Sequence, residues 1–337
     1  MAPGRYQGEK VDMHVHFSSR SIPRALALMK EQGITHAINV SGGFPGAGLE
    51  QSITAARRSK GRLSVMCNLP WRAFARVPDF VAQVLPILER CKAAGAVGLK
   101  IEKGLGLAYR DPTGRRLALD DPRLDPIFEA AGRHGLPVLI HTGDPKAFWL
   151  PPDEKNERYD ELKEHPGWSL VGRDVPSFDD LWEEFARRVR RHRGTTFVGA
   201  HFGNAPEEPE RVGKLLDECP NLVVDTAARV PELGRQPPER LRKLFVRHQD
   251  RILFGTDLGV GPEYLMLGST GPEPPGPSDV ERFFKATWRF FETPDRDFPH
   301  PTPIQGRWTI SGLELPTGAL RKLYRDNAVR VFGLKLE

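Results

Sequence analysis

The sequence predicts an α/β protein, a single (β/α)8 TIM barrel with long βα loops after strands five and eight. Three observations predict it. Short apolar, β-branched runs recur eight times, and amphipathic segments with helical spacing stand between them. The distance from the first run to the last is about 250 residues, the usual size of one such barrel. No Gly/Ser linker or tandem repeat marks a second unit, so 1–337 reads as one domain.

The predicted strands are 11–17, 35–40, 63–69, 96–102, 136–141, 195–201, 222–225 and 251–256. Most are nearly continuous in apolar character, as parallel strands buried on both faces require. Helical spacing marks 22–31, 80–94, 125–135, 179–192, 207–218 and 238–249, several of which end in the Gly or basic residues expected at helix C-termini. Two connections, 145–178 after strand five and 258–280 after strand eight, are longer than a βα loop needs to be and rich in Pro, Gly and charge. Loops of this kind lie at the C-terminal mouth of a barrel, so both are candidate lids. A tail, 298–316, precedes a final helix, 318–331, expected to close the outside of the barrel.

Lys plus Arg number 49 against 44 Asp plus Glu, a surplus of +5. That is too small to indicate nucleic-acid binding, and the densest basic run, Arg187, Arg188, Arg190, Arg191 and Arg193, reads as the solvated end of one helix. Cys67, Cys91 and Cys219 are far apart and form no C-x-x-C, which excludes a disulfide framework and a thiolate zinc site and fits a reducing compartment. The polar stretch 1–10 lacks an apolar h-region, and no run of about 18 apolar residues follows, so a cytoplasmic protein without membrane association is expected.

Against this frame the histidines fall unevenly. With ten in the chain, the pair His14-Val15-His16 alone carries little weight. Its position gives it weight: it closes the first strand, where alternation puts both imidazoles on one side. His141 ends strand five, His201 ends strand six, and Asp257 follows strand eight. Polar residues at the C-terminal ends of barrel strands read as functional, and several imidazoles with a carboxylate suit a borderline divalent metal. A Zn²⁺ with an open position lowers the pKa of bound water to about 7 and polarises a carbonyl, so hydrolysis is the default expectation. Asp257 is the natural general base for that water. His201 would be a second ligand or a neutral donor to the developing oxyanion. His36, His134, His192 and His248 lie at the wrong rim or at helix ends and read as structural; His165 and His300 lie in irregular segments and read as solvated.

The ordered set His14-x-His16, His141, His201 and Asp257 resembles the amidohydrolase superfamily. Pro137-Val-Leu-Ile-His-Thr-Gly-Asp and Arg251-Ile-Leu-Phe-Gly-Thr-Asp are similar to its amidohydrolase-related branch, which includes aminocarboxymuconate-semialdehyde decarboxylase and several lactone hydrolases. The resemblance runs from Val11 to the closing Asn327–Gly333. It implies a metal-dependent barrel in which His14, His16, His141 and Asp257 ligate one metal, zinc with manganese as the alternative, and His201 is the catalytic or second-metal histidine. Some superfamily members carry two metals bridged by a carbamylated Lys on strand four, where this chain places Lys100 and Glu102 on one face. Three roles stay open there: a carbamate bridge, a Glu102 ligand, or a Lys100 that binds an anionic substrate. The carboxylate beside the amine favours its ammonium form and argues against the carbamate, so a mononuclear site is expected.

Around the mouth, Trp71 and Arg72 follow strand three and Arg229 follows strand seven, placed to bind substrate by an apolar wall and a bidentate clamp on a carboxylate. The expected activity is hydrolysis of a lactone, amide or ester bond in a small organic molecule. Nonoxidative decarboxylation of a small unsaturated or aromatic acid is the alternative, and a catalytically silent barrel the lesser one. Barrels of this branch often pair, so a homodimer is a further expectation.

Overall fold

Eight strands run parallel in chain order, each paired with the next: β1 (Val11–Phe17), β2 (His36–Asn39), β3 (Leu63–Cys67), β4 (Gly98–Ile101), β5 (Val138–Ile140), β6 (Phe197–Gly199), β7 (Leu222–Asp225) and β8 (Ile252–Leu253). The structure, a computed structural model, describes residues 6–77 and 79–336. A helix follows every strand: Ile22–Glu31, Leu49–Arg58, Phe80–Ala94, Asp125–Arg133, Phe178–Arg191, Pro209–Glu218, Pro238–Arg247 and Pro277–Glu292. Two of these, Leu49–Arg58 and Pro277–Glu292, add to the six expected from spacing. In the second, Val280, Phe283, Phe284, Thr287, Trp288 and Phe291 form one buried stripe at helical intervals.

The ring closes where the last strand meets the first. Met13 N donates to Phe254 O at 3.0 Å, and Asp257 N donates to His14 O at 2.9 Å. Strand eight is broken there: after Leu253 the chain turns and resumes as β9 (Leu258–Val260), parallel to β1 at Val15, His16 and Phe17, before folding back as antiparallel β10 (Leu265–Leu267). The break is mended by Asp12, whose buried carboxylate accepts from Thr256 N (3.1 Å), Thr256 Oγ1 (2.5 Å) and His14 N (3.2 Å). A side chain thus supplies acceptors that a continuous strand would have offered from its backbone.

The core has two parts. One lies between sheet and helices. The other fills the barrel with Val11, Met13, Ile38, Val40, Met66, Leu139, Val198, Val223 and Leu253, and it continues into Ala328, Phe332 and Leu334 of the C-terminal segment. The closing helix therefore plugs the floor of the barrel instead of covering its outside. Burying a side chain such as Phe332 contributes about 1.5–3 kcal/mol, and Asn327 Nδ2 fixes the plug by donating to Gln249 O (2.7 Å) and Ile252 O (2.8 Å).

At the opposite end the two long loops meet each other. Within the first, Arg158 is wholly buried between Glu161 (2.6 Å) and Glu232, Glu161 accepts from Ser269 of the second, and His165 Nε2 donates to Thr270 O at 2.8 Å. Gln305 of the tail, the segment that precedes the plug, joins them through Gly268 O (3.3 Å). His165 and His300 are both engaged, the latter with Gly306 O at 3.0 Å, so neither is the solvated loop residue expected. In the basic run, Arg188 departs from the expectation of a solvated end: it is buried over the Phe128 ring and donates to Leu119 O, Asp121 O and Asp125. Its neighbours do stay at the surface, where Arg187 pairs with Asp120 and Arg190 with Glu218. The three cysteines are buried and free. Among the described residues no helix is long and apolar enough to cross a membrane.

Candidate metal centre at the barrel mouth

Side-chain polarity concentrates where the strands end at the lidded rim. His14 and His16 leave β1 on the same side, and both turn Nε2 toward Asp257 Oδ1, at 3.5 Å and 3.2 Å. The chain reaches this geometry through backbone that L-residues avoid. Asp257 has φ 62°, and in the turn after β6 His201 and Phe202 have φ 57° and 58°. Left-handed backbone costs roughly 1–2 kcal/mol per residue, and such strain gathers at functional sites. Glycines make room for it. A β-carbon on Gly199 would stand 2.9 Å from Gly203 Cα, and one on Gly255 would stand 3.0 Å from His14 Cβ.

Three of the imidazoles, those of His14, His16 and His201, are held from behind. His14 Nδ1 donates to Asp225 Oδ2 at 2.9 Å, which fixes its proton there and leaves a lone pair on Nε2. His201 Nδ1 donates to Ala227 O at 2.9 Å with the same result, and His16 Nδ1 meets Ser41 Oγ at 2.6 Å. Asp225 is fully occupied: its Oδ1 accepts from His201 N (2.8 Å) and Ala227 N (3.0 Å). Such outer partners orient ligands and raise their basicity. Asp225 and Ser41 were not anticipated. Asp225 ends the predicted seventh strand, yet its pairing with a histidine 211 positions away leaves no local trace.

Ligand atoms of His14, His16 and Asp257 lie within 4.8 Å of one another, as do those of His14, His201 and Asp225. The first set is the better metal cradle, because the Asp225 oxygens in the second already accept hydrogen bonds. The expected fourth ligand, His141, sits beside the cluster with its ring edge-on to His201, centroids 4.3 Å apart. Its Nε2 is buried with no hydrogen-bond partner. A buried imidazole nitrogen without a partner costs about 1–3 kcal/mol, a deficit that a cation would remove. On this test the residues fit a metal.

The electrostatics agree with a nitrogen-rich acceptor set. Burial drives His14, His141 and His201 below the ordinary histidine range, with Lys100 adding to the effect on His14, His201 and Lys100 on His141, and Arg229 on His201. All three are neutral and basic toward a cation. Burial opposes ionisation of Asp225 and Asp257, but hydrogen bonds donated to the carboxylates win: from His14 Nδ1 and His201 N to Asp225, and from His16 to Asp257. Both carboxyls stay well ionised. Burial pushes Asp12 up to about 7.

Lys100 is buried with Nζ 3.4 Å from His14 Nε2, and burial brings it down to about 8 against the pull of Asp225, Asp257 and Glu102. Glu102 does not join it: it lies past the end of β4, exposed, and accepts from Tyr109 Oη at 2.7 Å, so the shared face expected for the two ends at Ile101. That removes Glu102 as a ligand. Arg229 is buried at the mouth, donates to Ala228 O (3.0 Å), and leaves Nε without a partner. Trp71 is 2% exposed and packs on Phe80, its indole N–H unpartnered, while Arg72 is exposed. One expected role changes. With its proton on Nδ1, neutral His201 presents an acceptor at Nε2 and cannot donate to an oxyanion from that atom.

The amidohydrolase family profile matches residues 11–334, and the chain belongs to that family. Among curated proteins none is significantly similar to it in sequence. Solved structures share its fold at low identity. A TIM-barrel protein from Bordetella bronchiseptica is 16% identical with a TM-score of 0.55, the alignment covering 97% of this chain and 99% of that one. The 2,6-dihydroxybenzoate decarboxylase from Rhizobium is 17% identical (TM-score 0.54) with the same coverage. The 5-carboxyvanillate decarboxylase from Sphingomonas paucimobilis is 13% identical (TM-score 0.54), again over 97% and 99%. The chain is therefore an enzyme of the amidohydrolase superfamily with a candidate metal-binding group at its barrel mouth.

Proposed function

We propose that this enzyme is a metal-dependent hydrolase that cleaves a lactone, amide or ester bond of a small organic substrate carrying an anionic group. The observation that carries the reading is the convergence of His14 Nε2, His16 Nε2 and Asp257 Oδ1, with the imidazole protons held on the far side of His14 and His201. His14, His16 and Asp257 would hold the ion, and His141, with its unpartnered Nε2, would complete the set. Two or three imidazoles with one carboxylate favour zinc. A divalent cation there supplies a Lewis acid for the scissile carbonyl and a water of lowered pKa.

The chain's own groups supply the rest. Asp257 Oδ2 has no hydrogen bond among the described residues, so it can take a proton from the attacking water and return it to the leaving group. His201 Nε2 is the neighbouring acceptor. Lys100 and Arg229 are two buried cations on the rim, suited to hold a substrate anion in a low-dielectric setting where each hydrogen bond counts for more. The meeting lids exclude water from the bound substrate.

Lys100 and Arg229 also support a second reading, nonoxidative decarboxylation, since the same cations could orient the carboxylate that departs; the two decarboxylases named above run that reaction on this fold. A panel of lactones, amides, esters and unsaturated or aromatic acids, incubated with metal-loaded protein in heavy-oxygen water, separates them. Hydrolysis places heavy oxygen in the product. Carbon dioxide released without heavy-oxygen incorporation would establish the second reading instead. Metal well below one equivalent after purification from supplemented medium, with no turnover, would leave a silent barrel.

A further inference from the structure

His16 differs from its neighbours in what stands behind it. Asp225 fixes the Nδ1 proton of His14, and Ala227 O fixes that of His201, because a carboxylate and a carbonyl only accept. Behind His16 stands a hydroxyl, Ser41 Oγ at 2.6 Å from Nδ1, which can accept or donate. Among the described residues that hydroxyl has no other partner. His16 is also open to solvent: its side chain is 29% exposed, against 0% for His14. Its Nε2 faces Asp257 Oδ1 at 3.2 Å.

Ser41 is exposed, yet the turn that carries it is held from two sides. On one side is Asn39, the last residue of β2 and 1% exposed. Its side-chain amide continues the ladder past the end of the strand: Nδ2 donates to Phe17 O at 2.9 Å, while Oδ1 accepts from Phe17 N at 3.0 Å and from Ser41 N at 3.2 Å. One amide thus ties the residue after His16 to the residue that backs it. The register of β1 on β2 shifts between Asp12 and Val15, an irregularity of the kind that re-aims side chains beside a site, and Asn39 restores the pairing beyond it. On the other side is Asn68, just past β3. Its Oδ1 accepts from Gly43 N at 2.8 Å, its N donates to Gly43 O at 2.8 Å, and its Nδ2 donates to Val40 O at 3.3 Å. Gly42 lies so close on β3 that a β-carbon there would stand 2.1 Å from Met66 O.

With Ser41 donating to Nδ1, His16 keeps its proton on Nε2 and donates to Asp257. With Ser41 accepting, the proton sits on Nδ1 and Nε2 offers a lone pair. The ring stays neutral with one proton throughout: a proton leaves Nε2 to water, another reaches Nδ1 from water, and the hydroxyl rotates. We propose that Ser41, on its asparagine-clamped turn, is a positioning residue that switches His16 between a hydrogen-bond donor to Asp257 in the metal-free protein and a ligand for a divalent metal. His14 and His201 are set beforehand; His16 is set by the arrival of the ion. The inference rests on the proposed metal centre and names His16 as the ligand through which the ion enters and leaves.

The test reads proton positions and metal affinity, independent of turnover. Long-range proton–nitrogen NMR correlations of protein labelled at histidine nitrogen, assigned with His16→Gln, are compared after chelator treatment and with one equivalent of zinc. The His16 proton is expected on Nε2 without zinc and on Nδ1 with it, whereas the His14 proton stays on Nδ1. In Ser41→Ala, zinc affinity measured by chelator competition falls by about 10–100-fold, while the urea midpoint of the metal-free protein does not move. Ser41→Thr, which keeps the hydroxyl, retains wild-type affinity. Ser41→Asp, which only accepts when ionised, holds the proton on Nδ1 with and without zinc. Asn68→Ala, which loosens the turn without touching His16, weakens zinc in the same direction as Ser41→Ala.

A His16 proton on Nδ1 in the metal-free wild type, a proton on Nε2 with zinc bound, or undiminished zinc affinity in Ser41→Ala would each overturn the proposal. Failure of the metal centre reads differently. Wild-type protein then takes up no zinc and the switch falls with it, whereas the switch fails alone when zinc binds in full and His16 does not change its proton.

Discussion

Replacing Asp225 by Asn tests the central geometry without touching a proposed ligand. The carboxylate accepts three hydrogen bonds, from His14 Nδ1 at 2.9 Å, His201 N at 2.8 Å and Ala227 N at 3.0 Å. An amide of the same shape can receive on one side only. If its NH2 faces His14, two donors confront each other, and the imidazole must move its proton to Nε2, where the metal's lone pair would be lost. If the NH2 faces His201 and Ala227, two backbone donors lose their acceptor, at about 1–3 kcal/mol each. Loss of an outer partner of a metal-bound histidine typically weakens metal affinity by about 10–100-fold. The readout is urea unfolding with and without zinc. At free metal of about 1,000 times the wild-type dissociation constant, metal-linked stabilisation is about 4.1 kcal/mol; a variant 10–100-fold weaker retains about 2.7 to 1.4 kcal/mol. A folded Asp225→Asn protein with the full wild-type increment would refute the assignment of His14 Nε2 as a ligand.

Three further outcomes are expected. Asp257→Asn should keep the fold, since Asn tolerates the left-handed backbone at φ 62°, while turnover drops by at least about 10²-fold at matched metal content; wild-type turnover would remove Asp257 from the chemistry. Arg158→Met should destabilise the lidded mouth by about 3–5 kcal/mol, because Glu161 and Glu232 are left as unpaired buried carboxylates, and a change below about 1 kcal/mol in urea unfolding would show that the triad contributes little. His300 is buried, donates to Gly306 O and accepts from Thr302 N, and burial lowers it from 6.5 to about 4. Its contribution to stability is therefore complete above pH 6.5 and is lost as pH falls through 4. Wild type should lose up to about 3 kcal/mol more than His300→Gln across that window, and parallel stability curves would contradict it.

The barrel was legible because buried parallel strands write themselves as short apolar runs: β1 and β7 fall at the predicted bounds, and the others shrink by a few residues at their ends. The helix at Leu49–Arg58 was not, since only Leu49, Ser52 and Ile53 of its ten residues are buried and its apolar stripe is too thin to read. The Pro277–Glu292 helix had a full stripe, but its Pro- and Gly-rich lead-in read as the connection 258–280, which took in the helix start and left 281–292 unassigned. Of the site, His14, His16, His201 and Asp257 could be found because strand ends at a barrel rim are informative positions. The tethers could not. Asp225 closes on a residue more than 200 positions away, and the left-handed backbone at His201 and Asp257 leaves no local signature in the sequence.

The break in strand eight places Asp257 across the seam from His14 and His16. A cation gripped there would be a clasp between the first and last staves of the ring, whose ligands His14 and Asp257 are some 240 positions apart in sequence. Other neighbouring strands are joined by a single crossover, whereas this pair must meet across the whole ring, and loop closure costs more as the loop grows. Loading an ion there would thus help shut the cylinder as well as arm it, and a chain deprived of metal during synthesis would face its most demanding contact without that fastener.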